Sequence, residues 1–208
     1  MAIGPALKIA ILAKAPVPGF AKTRLIPALG PDGAATLQQR LTERAVATAC
    51  AAGLGHVTLW AAPDESHASF HALAATYEIA LKRQPDGDLG VRMLAAMQDG
   101  PTLVIGTDCP ALTPGHLHAC ANVLRDGIDA VLIPAEDGGY ALIGTRHPIS
   151  ELFTDMTWST ATVMAETRRH LARLGLSSRE PARLWDVDVP EDLERLRADG
   201  LGDLLTGL

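Results

Sequence analysis

KIAILAKAPVPGFAKTRL, residues 8–25, joins an apolar run, Lys8 to Ala13, to a segment that carries Lys14, Lys22 and Arg24 beside two prolines and Gly19. A short apolar run bounded by turn residues reads as a buried strand, and the segment after it as a loop. Three cations gathered there, in a chain of net charge −6, call for an anion. A phosphate chain needs positive charge and donors at close range. Arg can clamp two oxygens, Gly19 lets the backbone approach, and Thr23 adds a hydroxyl. The alternative is a solvated basic loop. A P-loop is disfavoured because Gly19-Phe20-Ala21-Lys22-Thr23 lacks both the adjacent Gly-Lys and the earlier glycine.

Strands and helices alternate outward from this segment. A helix is expected from about Asp32 to Ala52, stopped by Gly53 in a left-handed turn, then a strand over His56 to Ala61. Asp64 to Ala75 reads as helix, Glu78 to Lys82 as strand, Asp88 to Asp99 as helix and Thr102 to Gly106 as an apolar strand. Thr113 and Pro114 open a helix that ends near Gly127. Asp129 to Ala135 is a further strand, turning at Asp137-Gly138 into an antiparallel partner, Tyr140 to Ile143. Ser159 is placed to cap a helix to about Leu174, Leu184 to Val189 reads as the last strand, and Pro190 to Ala198 as the last helix. No linker divides residues 1–208, so one α/β domain is expected: a three-layer α/β/α sandwich with an open, mostly parallel, mixed sheet. Ligands of such sheets bind beyond the carboxyl ends of the strands.

Carboxylates stand at two of those ends. Gly106-Thr107-Asp108-Cys109-Pro110 follows an apolar strand and puts Asp108 where it can reach a metal, or else cap the turn before Pro110. Trp185-Asp186-Val187-Asp188-Val189-Pro190 places Asp186 and Asp188 on one face of an extended segment, where they can share a cation; Asp188 could instead cap the helix opening at Pro190. Pro134 to Tyr140 sets Asp137 beside Gly138 and Gly139, so that Asp137 can hydrogen-bond or deprotonate an acceptor, or simply sit in a glycine-rich hairpin. Gln84 to Met93 offers Gly90 and Arg92 at a loop-to-helix junction for a base or phosphate. Trp158-Ser159-Thr160 supplies hydroxyls for a helix cap or, less strongly, for substrate.

Together, KAPVPGFAKTRL, IGTDCP, PAEDGGYALIG, WST and DVDVPEDL resemble the bacterial proteins called glycosyltransferase-A-like or nucleotide-diphospho-sugar transferase-like. The arrangement also resembles, more distantly, 2-phospho-lactate guanylyltransferases and molybdenum-cofactor nucleotidyltransferases. The resemblance implies a transferase that uses a nucleotide donor, Mg²⁺ or Mn²⁺, and a small-molecule acceptor. It implies that Lys14, Lys22 and Arg24 hold donor phosphates, with Asp108 and Asp188 on the metal and Asp186 as a third carboxylate; apart from the resemblance, the glycines beside Tyr140 let the backbone approach a substrate. Sugar transferases of this fold usually show Asp-x-Asp, whereas Gly106 stands here at the first position. Three cations suit a triphosphate, whose leaving pyrophosphate must be neutralised, so nucleotidyl transfer is favoured slightly over glycosyl transfer. A non-catalytic nucleotide-binding module is the competing reading.

Composition bounds these readings. Hydrophobic residues at 48% and charged residues at 20% are ordinary for a soluble globular chain. The acidic balance argues against a nucleic-acid partner. Lys8 to Ala13 is too short to cross a bilayer, and Met1 to Lys8 shows no export pattern. Cys50, Cys109 and Cys120 lack close pairing, which suits a reducing cytoplasm. The seven histidines lack a zinc-protease pattern, and Gly-x-Ser-x-Gly is absent. No motif bears on oligomeric state.

Overall fold

The computed structural model describes residues 6–98 and 100–208. Met1 and Asp99, ends of two segments read above, lie outside them. A seven-stranded sheet runs β3-β2-β1-β4-β6-β5-β7, made of β1 (Lys8–Lys14), β2 (His56–Ala62), β3 (Ala80–Arg83), β4 (Thr102–Ile105), β5 (Ala130–Pro134), β6 (Tyr140–Thr145) and β7 (Ser178–Arg179). β6 is antiparallel to both β4 and β5, and the other pairs are parallel. The mixed sheet expected from Asp137-Gly138 is therefore observed, and the crossovers between parallel strands are the helices.

Side-chain alternation sorts the sheet's two faces. Ile9, Ile11, Leu103, Ile105, Val131 and Ile133 pack against α1 (Ile26–Ala52), α2 (Ala68–Tyr77) and α4 (Pro114–Arg125). Ala10, Val104, Leu132 and Ile143 face α3 (Leu89–Ala96) and α5 (Val163–Arg173). A third apolar cluster lies off the sheet: Leu25, Leu37 and Leu41 meet Trp185, Val187 and, from α6 (Glu191–Ala198), Leu193 and Leu196. This cluster fastens the C-terminal segment to the loop after β1.

Four element readings are corrected. α1 begins at Ile26, with a break at Gly30 (φ 68°, ψ 169°) before Pro31, so the expected start near Asp32 is the second segment of a bent helix. α2 begins at Ala68 rather than Asp64, because the Asp64 carboxylate accepts from Ser66 N–H at 2.8 Å and the His67 ring caps the helix instead. α5 begins at Val163, with Thr162 at its cap position; Ser159 lies in a left-handed turn (φ 61°) and caps nothing. Leu184 to Val189 is no strand: beyond one bridge, Ala135 to Leu184, it is held by isolated bonds from Leu184 N–H to the Pro134 carbonyl and from Val187 N–H to the Asp108 carbonyl. Its alternation survives, with Trp185 and Val187 buried and Asp186 and Asp188 half-buried, because the third cluster takes one face.

Leu37 is fully buried in that cluster. Leu37→Ala should lower the unfolding free energy by about 2–5 kcal/mol in urea titration; a loss under about 1 kcal/mol would mean that the cluster does not hold the C-terminal segment.

Candidate active site

The loop after β1 is built on buried anchors. Phe20 and Ala21 N–H groups both donate to the Val17 carbonyl, at 3.0 Å each, and Ala21 and Leu25 are fully buried. Between them Lys22 takes a left-handed conformation (φ 45°, ψ 47°), which costs a non-glycine residue about 1–2 kcal/mol. The turn sends its side chain inward, where only 5% remains exposed. Its ammonium meets Asp108 Oδ1 at 2.7 Å and Asp188 Oδ1 at 3.0 Å, and donates to the Val187 carbonyl at 2.6 Å. Burial opposes the charge on Lys22, but the two carboxylates outweigh it and raise its pKa above the ordinary lysine value. Arg24 lies farther out, 71% exposed and 3.9 Å from Asp188 Oδ2.

Two supports aim the carboxylates. Gln38, buried on α1, donates through Nε2 to Thr107 Oγ1 at 3.0 Å, and that hydroxyl lies 3.4 Å from Asp108 Oδ1. Asp188 does not cap α6. The Asp192 carboxylate accepts from the N–H groups of Asp188 and Val189, at 2.8 Å each, and so leaves the Asp188 side chain to Lys22. Arg195 on α6 adds a brace, forming a two-pronged pair with Glu136 at 2.7 and 3.0 Å and lying 4.5 Å above the Trp185 ring.

Asp186 is the third carboxylate on this side. Burial first, then Asp137, Asp108 and Asp188, push its carboxyl up to about 7, with Lys22 acting in the opposite sense. Asp137 Oδ1 accepts from Gly139 N–H at 2.8 Å, so the carboxylate shapes its own turn as well as facing the cleft. Among the described residues, no three carboxylate, histidine or cysteine groups converge as metal ligands. The convergent pair is Asp108 with Asp188, both on Lys22, and Asp186 lines the same cleft.

A cleft of about 650 Å³ at the carboxyl ends of β1 and β4 collects most residues singled out from sequence. Lys14, Lys22, Thr23 and Arg24 line it together with Asp108, Asp137, Asp186 and Asp188. Gly139, Tyr140, Ser159 and Thr160 form another part of its wall. Four expected contacts do not line it. Gly19 is a left-handed residue of the loop turn (φ 82°). Arg92 turns back to the Gly87 carbonyl at 3.1 Å, and Gly90 is the seat of Trp158, which a β-carbon there would meet at 2.8 Å. Gly138 (φ 94°) is pressed against the Ala161 backbone, and its carbonyl accepts from Met164 N–H at 2.8 Å, which locks the hairpin to the start of α5. A second concavity, about 720 Å³, lies at the amino ends of β1–β3 and brings one carboxylate, Glu78, beside Lys8 and Lys82. It lacks the convergent acids.

Sequence reading missed Gln38, whose signal was a polar residue on the buried stripe that carries Leu37 and Leu41. It also missed the apolar wall of the cleft formed by Leu12, Met93 and Val104, residues indistinguishable in sequence from ordinary core. Tyr140 is half-buried in the cleft wall, its hydroxyl 3.7 Å from Met93 Sδ, and burial raises its pKa, so it stays neutral.

Comparison with known proteins gives the family and the fold. The profile of a family described as "uncharacterized protein conserved in bacteria (DUF2064)" matches residues 45–160. A phosphoenolpyruvate guanylyltransferase of Rubrobacter xylanophilus is 30% identical over 185 residues, covering 86% of this chain and 89% of its own. A crystal structure from Desulfovibrio desulfuricans G20, described as a nucleotide-diphospho-sugar transferase, superposes with a TM-score of 0.80 at 27% identity, over 88% of this chain and 83% of that one. The glucosyl-3-phosphoglycerate synthase of Mycobacterium tuberculosis, solved with Mn²⁺ and UDP, shares the fold at a TM-score of 0.55 and 12% identity, over 96% of this chain and 78% of that one. No helix among the described residues is long and apolar enough to cross a membrane.

The Asp186 carboxyl gives a pH test. Unfolded, it titrates near ~4; folded, near about 7. Between those values the folded chain holds a proton that the unfolded chain has released, so this residue lowers stability progressively as pH rises from about 4 to about 7. Asp186→Asn should raise the urea midpoint at about pH 8 and leave it unchanged near pH 4, measured in chelator. Equal midpoints for variant and wild type at the higher pH would contradict this environment.

Proposed function

We propose that this chain, which belongs to the DUF2064 family of bacterial proteins, is a divalent-metal-dependent nucleotidyltransferase. Its coarser class is a transferase with a nucleotide donor, nucleotidyl or glycosyl, on the nucleotide-diphospho-sugar transferase fold. The observation that carries the finer reading is the convergence of Asp108 and Asp188 on the Lys22 ammonium, at 2.7 and 3.0 Å, at the strand ends where Lys14 and Arg24 also gather. Two hard oxygen ligands suit Mg²⁺ or Mn²⁺, which take one or two carboxylates and complete their shell with substrate phosphates and water. Bound there, such an ion would neutralise charge on the polyphosphate as it leaves.

In this reading the donor is a nucleoside triphosphate. The relative that is a phosphoenolpyruvate guanylyltransferase points to GTP and to an acceptor that bears a phosphate. An oxygen of the acceptor phosphate attacks the α-phosphorus, the bond from that phosphorus to the bridging oxygen breaks, and pyrophosphate departs with the electron pair. A phosphate acceptor is already ionised, so no base must remove a proton. Asp137, engaged with Gly139 N–H, then has a shaping role rather than a proton-transfer role. Lys14 and Arg24, at the open side of the cleft, hold the phosphates and offset the charge that develops on the leaving group.

Glycosyl transfer is the second reading, favoured by the name of the structure with a TM-score of 0.80. Product analysis separates the two. With Mg²⁺ and phosphoenolpyruvate, each of the four triphosphates is tested for pyrophosphate release, and nucleotide-sugars for release of nucleoside diphosphate. Pyrophosphate from GTP is expected. Nucleoside diphosphate from a sugar donor would move the chain to glycosyl transfer, and binding without any product would make it a nucleotide-binding module. In the productive assay Asp108→Asn should cut kcat at least about 100-fold while the fold is retained; undiminished turnover would remove Asp108 from the site.

A further inference from the structure

We propose that Lys22 is a built-in counter-ion which the donor's divalent cation replaces, so that the cleft takes cation and polyphosphate together and holds the bare cation weakly. The inference rests on the metal–nucleotide reading above. It begins from a charge arrangement: Asp108 and Asp188 already share a cation, the Lys22 ammonium, which also donates to the Val187 carbonyl at 2.6 Å. A divalent ion reaching both carboxylates meets that ammonium at contact range, and two positive charges in one buried position repel strongly. Moved off the carboxylates with no anion in the cleft, the ammonium would lose both of its ion pairs.

A polyphosphate removes the conflict. Lys22 is flanked in sequence by Thr23 and Arg24, which line the same cleft as Lys14, so phosphates held by these residues lie within its reach. Once they are present the ammonium exchanges two carboxylate partners for phosphate oxygens, and the divalent ion takes the carboxylates. The two carboxylates then face a divalent ion in place of a single positive charge, and the ammonium keeps anionic partners in the phosphates. The other two cations cannot play this part. Arg24 is 71% exposed and only grazes Asp188 at 3.9 Å, and Lys14 is exposed at the end of β1. Because binding free energies are linked, the cation and the polyphosphate must each raise the affinity for the other by the same factor.

The test is equilibrium dialysis of Mn²⁺ against the full chain, with and without tripolyphosphate, a probe that carries no base and so is independent of the donor's identity. For wild type, tripolyphosphate should raise the affinity of the protein for Mn²⁺ at least about tenfold, within the usual range of coupling between sites. Lys22→Met should bind bare Mn²⁺ at least about tenfold more tightly than wild type and show little further gain from tripolyphosphate. Lys22→Gln, which keeps a donor for the Val187 carbonyl, gives the same comparison should the methionine variant fold poorly. Arg92→Met, outside the cleft, controls for lost charge and should match wild type. Wild type that holds bare Mn²⁺ as tightly as with tripolyphosphate, or a Lys22 variant with no gain for bare Mn²⁺, would overturn the exchange while leaving the metal site standing. Wild type that retains no Mn²⁺ under either condition would overturn both.

Discussion

A buried ammonium is tolerated only beside opposite charge, and Lys22 meets that condition by drawing together Asp108, from the end of β4, and Asp188, from 166 residues farther along the chain. Removing one carboxylate leaves the ammonium its other partner, whereas removing the ammonium leaves two like charges facing each other. The contact is therefore as much a constraint on the fold as a feature of the site. Beneath it, Leu25, Leu37 and Leu41 pack on Trp185 and Val187, so the same segments that bring the charges together are also joined by apolar burial. Charge fixes the registration of loop and tail, and the hydrophobic cluster supplies the adhesion.

That division explains what could be read from the sequence. The strand-to-loop passage at Lys8–Leu25, the apolar run before Asp108 and the Asp137-Gly138 turn are local patterns, and each gave its element and the end of the sheet at which it lies. Asp186 and Asp188 were placed on one face by alternation, and they are, although the strand that would justify it never forms. A segment pinned by Trp185 and Val187 alternates without a neighbouring strand to pair with. What stayed hidden was long-range. Nothing local to Lys22 announces that its charge is turned inward, because its partners are distant and its left-handed backbone carries no glycine to mark it. Gly90 and Arg92 looked like a ligand-facing junction, yet the first serves the packing of Trp158 and the second closes its own loop.

The superfamily runs nucleotidyl and glycosyl transfer on one scaffold, so fold alone cannot choose between them. In the proposed function the choice lies in charge. Gly106 stands where a sugar transferase would carry the first acid of Asp-x-Asp, which would leave Asp108 to work with Asp188, while three cations crowd the first loop. Under that proposal the site suits a donor that brings several negative charges and sheds most of them as pyrophosphate.

The most direct measurement is a crystal structure of the chain with Mn²⁺ and a non-hydrolysable GTP analogue, with the manganese located by its anomalous scattering. One manganese bound by Asp108 and Asp188 is expected, with the Lys22 ammonium moved onto the polyphosphate. A Lys22 still lodged between the two carboxylates, with the nucleotide and manganese bound elsewhere, would contradict it.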